Sequence, residues 1–404
     1  MQTHFAESIK NRPESTELAA IIRACVHCGF CNASCPTYQL LGNELDGPRG
    51  RIYLLNQMLE GKPVTALTQK HLDRCLTCRA CETACPSGVR YGRLLDIGRD
   101  ILSQKVNQPL IRKLKIGFIK AIFTRRKCFQ ALMQLANVIK PCLPQSIKQK
   151  LPAAPRIKRT WPVARHPRSM LLLPGCVQPV LAPDIDAAAA QILDRIGISL
   201  QQVVSGTCCG ALPYHLSDHA QAMALAKQNI DACWPYIEQG AEAIVLTASG
   251  CGVMVKDYAG ILQYDAQYAE KAVKVSAMAK DISEILADTD LSALKVKPRS
   301  LAFHAPCTLQ HGQKLAGLVE ALLTDLGMQL LPTRNAQLCC GSAGVYSLLE
   351  EEISGQLLSQ KIQDLQCSGP DLIATANIGC LMQLQRATDK KVVHWIELLA
   401  NEGL

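Results

Sequence analysis

Cys25-Val26-His27-Cys28-Gly29-Phe30-Cys31-Asn32-Ala33-Ser34-Cys35-Pro36 and Cys75-Leu76-Thr77-Cys78-Arg79-Ala80-Cys81-Glu82-Thr83-Ala84-Cys85-Pro86 are one pattern written twice. Both read Cys-x2-Cys-x2-Cys-x3-Cys-Pro. An iron–sulfur cubane offers four iron corners, and three closely spaced cysteines can wrap three of them with thiolate sulfur. The fourth cysteine, set by the proline after it, is expected to reach the other group's cluster. Cys25, Cys28, Cys31 and Cys85 are therefore expected to hold one [4Fe–4S] cluster, and Cys75, Cys78, Cys81 and Cys35 a second. Zinc also accepts four cysteines, but it needs no such repeated run with proline after each fourth one.

Working outward, 404 residues can build two or three domains with cores of their own. Hydrophobic residues at 48% and charged ones at 19% are ordinary for a globular chain, whereas 20 cysteines are not. The opening MQTHFAES has neither a basic start nor an apolar stretch, so a reducing, cytoplasmic setting is expected, with thiols free or bound to metal. No apolar run approaches the ~18 residues that cross a bilayer, so membrane contact would come from the surface, as a peripheral protein on the cytoplasmic face of the inner membrane.

The net charge of +9 is concentrated in one belt. Between Asp100 and Asp184 there is no acidic residue but sixteen basic ones, and the rest of the chain is net acidic. Residues 110–130 read as one amphipathic helix, with Leu110, Ile111, Leu114, Phe118, Ile122 and Phe123 along one side. Pro141 to Pro167 reads as an extended linker. The belt suits a solvated linker, an acidic protein surface or anionic lipid. Nucleic acid is not expected, since aromatics are 4% and no reader motif is present.

From residue 168 onward the chain repeats itself. Leu171-Leu172-Leu173-Pro174-Gly175-Cys176, Cys208-Cys209-Gly210 and Ser249-Gly250-Cys251 return as Phe303-His304-Ala305-Pro306-Cys307, Cys339-Cys340-Gly341 and Ile378-Gly379-Cys380. Apolar strands at 171–173, 243–247, 301–303 and 372–375 alternate with helical stretches, which predicts parallel α/β units. Cys176, Cys208, Cys209 and Cys251, or Cys307, Cys339, Cys340 and Cys380, are candidates for a third metal centre, with each glycine letting the backbone approach an inorganic group. Cys128, Cys142, Cys233 and Cys367 read as core packing. So do His304 and His394, as hydrogen-bonded core histidines beside apolar strands. No dinucleotide or phosphate loop is present, so no catalytic residue is assigned.

The expected architecture is α+β overall. A small all-α ferredoxin-type domain with two [4Fe–4S] clusters (1–105) precedes a basic helix and linker (106–167) and a duplicated α/β cysteine-rich region (168–292 and 293–404). This layout, with Asn43-Glu44-Leu45-Asp46-Gly47-Pro48-Arg49-Gly50-Arg51-Ile52-Tyr53, resembles the iron–sulfur subunits of flavin-dependent 2-hydroxyacid dehydrogenases, glycolate oxidase in particular, and of heterodisulfide-reductase-like complexes. The resemblance implies two flavin-type partner subunits carrying FAD, glycolate oxidised to glyoxylate there, and electrons relayed through this chain to a membrane quinone or similar acceptor. It leaves open a lactate or anaerobic glycerol-3-phosphate dehydrogenase partner, or thiol–disulfide chemistry. The heterodisulfide relatives end each repeat in Cys-x2-Cys. Here Ala248 and Asn377 stand at the first of those positions, which argues against a five-cysteine cluster.

Overall fold

Pro48 opens a helix because its fixed backbone angle suits the first turn and its missing N–H costs nothing there. This helix, α1 (Pro48–Leu59), is the central strut of the first unit. The computed structural model describes residues 2–142, 159–294 and 296–400. Lys148, Lys150, Arg156 and Lys158 of the basic belt, and most of the expected linker, lie outside them. Among the described residues, the part before Cys142 is helical throughout. Helix α2 (Tyr91–Lys105) packs across α1, and Leu55, Met58, Leu59, Leu94 and Leu95 form a small core with no exposed surface.

The span 110–130 is not one helix. It breaks at Thr124–Arg125 into α3 (Leu110–Phe123) and α4 (Arg126–Ile139), an antiparallel hairpin. Thr124 Oγ1 donates back to the Lys120 carbonyl at 2.7 Å, Arg125 is extended, and the Phe123 and Phe129 rings meet at 4.9 Å across the turn. Ile119 and Phe129 are buried, whereas Leu110, Ile111, Leu114 and Phe118 face solvent.

The repeats build two four-stranded sheets. Strands β1 (Arg168–Leu172), β2 (Ile198–Gln202), β3 (Ile244–Leu246) and β4 (Ala279–Asp281) lie in the order β2-β1-β3-β4, all parallel. Strands β5 (Ser300–His304), β6 (Gln329–Leu330), β7 (Leu372–Thr375) and β8 (Lys391–His394) repeat that order as β6-β5-β7-β8. The alternating apolar stretches had revealed β1, β3, β5 and β7. Their edge partners are shorter or more polar and escaped notice. One apolar core runs through both sheets, joining Ile185, Ile192 and Leu200 to Leu301, Ile373 and the fully buried Trp395.

In such a sheet the chain leaves the central pair of strands in opposite directions, opening a crevice beyond their C-terminal ends. The crevices lie past β1/β3 and β5/β7. Cys176, Cys251, Cys307 and Cys380 all follow those strands, so topology places the cysteines before any metal is considered.

The first unit has one backbone contact with no slack. A Cβ on Gly50 would stand 2.1 Å from the Glu44 carbonyl oxygen and 2.9 Å from Leu45 Cα. Gly50→Ala must push α1 off that turn, at a cost of about 1–3 kcal/mol. We expect a lower thermal midpoint for the full-length chain. An unchanged midpoint would show that the turn yields freely.

Candidate functional site

Each Cys-x2-Cys-x2-Cys run curls through left-handed backbone at two matched positions. These are His27 (φ 56°) and Gly29 (φ 84°) in the first run, and Thr77 (φ 53°) and Arg79 (φ 58°) in the second. Non-glycine residues rarely adopt this conformation, and here it turns successive thiols inward around a small hollow. Cys25, Cys28, Cys31 and Cys85 line one cavity. Cys35, Cys75, Cys78 and Cys81 line its neighbour, and Cys81 lies on the wall between the two. Each cavity thus meets three cysteines of one run and the fourth of the other.

Apart from the exposed Cys28, these cysteines are wholly or partly buried. Burial, and next the neighbouring Cys25 thiol, pushes Cys31 up to about 11. Burial pushes Cys78 and Cys81 higher still. A bare thiolate is therefore unfavourable in these cavities, and a bound cation is what would offset the cost. An all-thiol donor set wrapped around two adjoining hollows fits a pair of iron–sulfur clusters.

A fixed positive charge already stands beside the inner cavity. Arg51, wholly buried, lines it with Cys35 and Cys75. Its Nε donates to the His71 carbonyl at 2.8 Å and its Nη2 to Thr37 Oγ1 at 3.1 Å. Asp46, equally buried, balances the charge. It accepts from His71 Nδ1 and Arg74 Nη1 at 2.9 Å each and lies 3.7 Å from Arg51. Arg51 and Asp46 stand five residues apart in the segment 43–53. Nothing in the linear spacing shows that they form a buried pair.

The eight cysteines of the repeats converge on a separate cavity of about 1210 Å³ beneath the α3–α4 hairpin. All but Cys340 line it, together with Cys78 and with Ile116, Phe123, Phe129 and Met133 of the hairpin. Cys176 and Cys208 sulfurs lie 3.4 Å apart, and Cys307 and Cys339 3.8 Å apart. The thiols of Cys208 and Cys251 donate to Cys209 and hold it well below the usual thiol range. In the second repeat Cys307, Cys339 and Cys340 are all pushed up. Cys208 and Cys251 are likewise pushed up, by hydrogen bonding among the thiols and by burial.

Both Cys-Cys-Gly triplets turn through a left-handed glycine, Gly210 (φ 90°) and Gly341 (φ 81°). A Cβ there would meet the Ala222 carbonyl oxygen at 3.0 Å and the Ser354 carbonyl oxygen at 2.7 Å. The glycines make room for protein backbone, not for an inorganic group. Cys233 is buried as expected, but Cys128 and Cys367 are exposed and do not pack in a core. His394 is fully buried, and its Nδ1 accepts from the Ile396 amide at 3.4 Å. Neither His394 nor the buried His304 is the fully bonded core histidine expected, for Nε2 lacks any hydrogen-bond partner in His394 and likewise in His304. Burial, and then the Lys361 charge, lowers it to about 3. The missed signal was its place three residues before Cys307, where the first repeat has Leu173.

Comparison with known proteins matches this geometry. Residues 21–89 match the model of a 4Fe-4S dicluster domain, and residues 170–256 and 301–385 each match a cysteine-rich domain. Over 400 residues the chain is 51% identical to the glycolate oxidase iron-sulfur subunit of Escherichia coli (strain K12), covering 99% of this chain and 98% of that one. The chain belongs to the glycolate oxidase iron–sulfur subunit family. A probable member of this family from Bacillus subtilis (strain 168) is 28% identical, with 93% of this chain and 92% of that one covered. Lactate utilization protein A of an Exiguobacterium species is 27% identical over 58% of this chain. A hypothetical protein from Helicobacter pylori, known from its crystal structure, shares the fold at a TM-score of 0.54 and 8% identity, over 98% of this chain and 74% of that one.

Asp46→Ala would leave Arg51 buried without its counter-charge, at a cost of about 3–5 kcal/mol. We expect it to lower the denaturation midpoint and speed the bleaching of visible absorbance in air. Asp46→Asn, which keeps one acceptor, should fall between. A midpoint equal to the unaltered chain's would remove the pair from any supporting role.

Proposed function

We propose that this chain is the electron-transferring subunit of a glycolate-oxidising complex. Cys25, Cys28, Cys31 and Cys85 hold one [4Fe–4S] cluster, and Cys75, Cys78, Cys81 and Cys35 hold the other. The observation that carries the reading is the pair of adjoining thiol-lined cavities in a chain so similar, end to end, to a glycolate oxidase iron-sulfur subunit. Bound there, the clusters would accept electrons one at a time, which a flavin holding a pair can release singly. The residues of this chain do the holding. They exclude water, set Arg51 beside the inner thiols and keep the two sites adjoining. Glycolate itself is oxidised to glyoxylate on two flavin-type partner subunits that carry FAD, and this chain is not catalytic alone.

The direction of transfer follows from exposure. Cys28 is exposed, and Val26 and Phe30 beside it are 67% and 64% exposed, a fitting face for the electron-donating partner. The inner cavity adjoins the repeats. Tyr346 donates to the Arg74 carbonyl at 3.0 Å, Thr83 Oγ1 bonds His311 Nδ1 at 3.0 Å, and Arg79 pairs with Asp257 at 2.5 Å. Electrons would leave on that side, toward a quinone or similar acceptor.

The outer face of the hairpin fits an anionic lipid surface, with the protein peripheral on the cytoplasmic face of the inner membrane. Leu110, Ile111, Leu114 and Phe118 on α3 and Leu135, Val138 and Ile139 on α4 are exposed. Exposed Lys113, Arg125, Arg126 and Lys127 lie among them, and no acidic residue occurs in either helix. Apolar side chains with basic neighbours suit a helix lying in the headgroup layer. The inner side is tied down by Arg112 to Asp73 at 2.8 Å and Lys115 to the Leu348 carbonyl at 2.7 Å. No helix among the described residues is long and apolar enough to cross a membrane.

A lactate or glycerol-3-phosphate partner is less favoured, because the lactate utilization relative matches a smaller share of the chain. In the anaerobically isolated complex we expect about eight irons per chain from two cubanes, and glycolate-dependent reduction lost in Cys31→Ser and Cys78→Ser. About twelve irons would place a further iron–sulfur cluster in the repeats, and reduction by lactate but not glycolate would reassign the partner. For the hairpin, Leu114→Glu with Phe118→Glu should cut co-sedimentation with vesicles containing phosphatidylglycerol by roughly tenfold or more, the worth of burying two large apolar side chains. Equal binding by the altered and unaltered complex would move the membrane contact elsewhere.

A further inference from the structure

The second repeat carries a nitrogen donor that the first lacks. His304 ends β5 in register with Thr375 at the end of β7, so its ring stands at the mouth of the β5/β7 crevice. A ring nitrogen of His304 and the sulfurs of Cys340 and Cys380 all lie within 4.8 Å of one another, and all three residues are buried. We propose that His304, Cys340 and Cys380 bind a single zinc-type metal ion, distinct from the two clusters of the first unit.

Three features converge on this. Nδ1 of His304 is 2.9 Å from Thr375 Oγ1, whereas Nε2 is buried with no hydrogen-bond partner. A metal-binding imidazole has this arrangement, one nitrogen anchored on a neighbouring oxygen and the other bare. Asn377 Nδ2 donates to Cys380 Sγ at 3.5 Å, the support an anionic sulfur receives from outside a metal's first ring of ligands. Spacing then separates one ion from a cubane. Zinc–sulfur bonds of about 2.3 Å at a tetrahedral angle set two thiolates about 3.8 Å apart. Among the described residues, His304, Cys340 and Cys380 form the group of three histidine, cysteine or acidic donors close enough for this, and no three cysteines of the first unit do so.

Mixed thiolate and imidazole donors suit zinc. Cys339, whose thiol is hydrogen-bonded to that of Cys340, is a source of a fourth thiolate. In the first repeat the position of His304 belongs to Leu173, which is buried and has no donor atom. The ion would tie β5, the Cys-Cys-Gly turn and the helix after β7 together, each of which contributes one ligand.

The test is the metal content of the full chain in its anaerobically isolated complex. One zinc per chain is expected beside the iron. His304→Gln and Cys380→Ser should each lower zinc at least tenfold while iron and acid-labile sulfide stay unchanged, which also reports that the first unit remains folded and loaded. Independently of any variant, cells grown with cobalt should yield a chain with thiolate-to-cobalt charge-transfer bands and intense tetrahedral d–d absorption. Zinc absent from the unaltered chain, zinc unchanged in both variants, or a cobalt-grown chain without those bands would overturn the site. So would loss of iron and sulfide in place of zinc, which would make it an iron–sulfur centre. The readout is zinc and cobalt, so its failure is separate from that of the electron-transfer reading, which stands on iron content and glycolate.

Discussion

A thiolate cannot be buried in apolar surroundings without a cation to meet it, and this chain buries fifteen of its sixteen patterned cysteines wholly or in part, Cys28 being the exposed exception. Such crowding of polarisable donors costs the apo chain dearly, since burial raises their proton affinity and stacks like charges on one another. The architecture makes sense once that cost is taken as the fixed quantity. Short helices and left-handed turns in the first unit aim thiols at one another where few apolar residues remain to build a core. The small size of that unit fits a fold whose stability comes partly from what its cysteines hold.

The repeats meet the same constraint with a different scaffold. Parallel sheets are buried on both faces, so their cores form without help from any metal, and the cysteines sit on loops beyond the strand ends. This explains how the two copies could diverge. In the first, Leu173 fills the place of the histidine. In the second, His304 brings a nitrogen without a hydrogen-bond partner. Duplication preserved the positions of the cysteines but not of every residue beside them.

What could be read from the sequence was periodic and local. The spacing of the cysteines, the proline that opens α1 and the apolar runs of the central strands all write themselves along the chain. Three features resisted. The hairpin break depends on a threonine bonding back to its own helix and on two phenylalanines meeting across the turn. The Asp46–Arg51 pair joins residues whose meaning lies in having no water around them. The glycines of the Cys-Cys-Gly triplets were read as space for a cofactor, yet the atoms they would strike are main-chain oxygens of following helices. In each case the missing information was tertiary, and propensity cannot supply it.

The hairpin shows how one element can answer two demands. Its inner side, with Ile116, Phe123 and Phe129, closes the thiol-lined cavity, and its ion pairs and hydrogen bonds reach the first unit and both repeats, through Asp73, Asp218 and the Leu348 carbonyl. A helix covering a cavity this way would ordinarily be polar on its far side. Here the far side is apolar, with basic residues and no acid among them, so water is a poor solvent for it and an anionic lipid surface a good one. The thiol-lined cavity lies directly behind this face, with Cys78 of the first unit on its wall. At the opposite end, Val26, Cys28 and Phe30 line the outer thiol cavity and are exposed. The two thiol-lined regions thus present different surroundings, one open to solvent and one roofed by the hairpin.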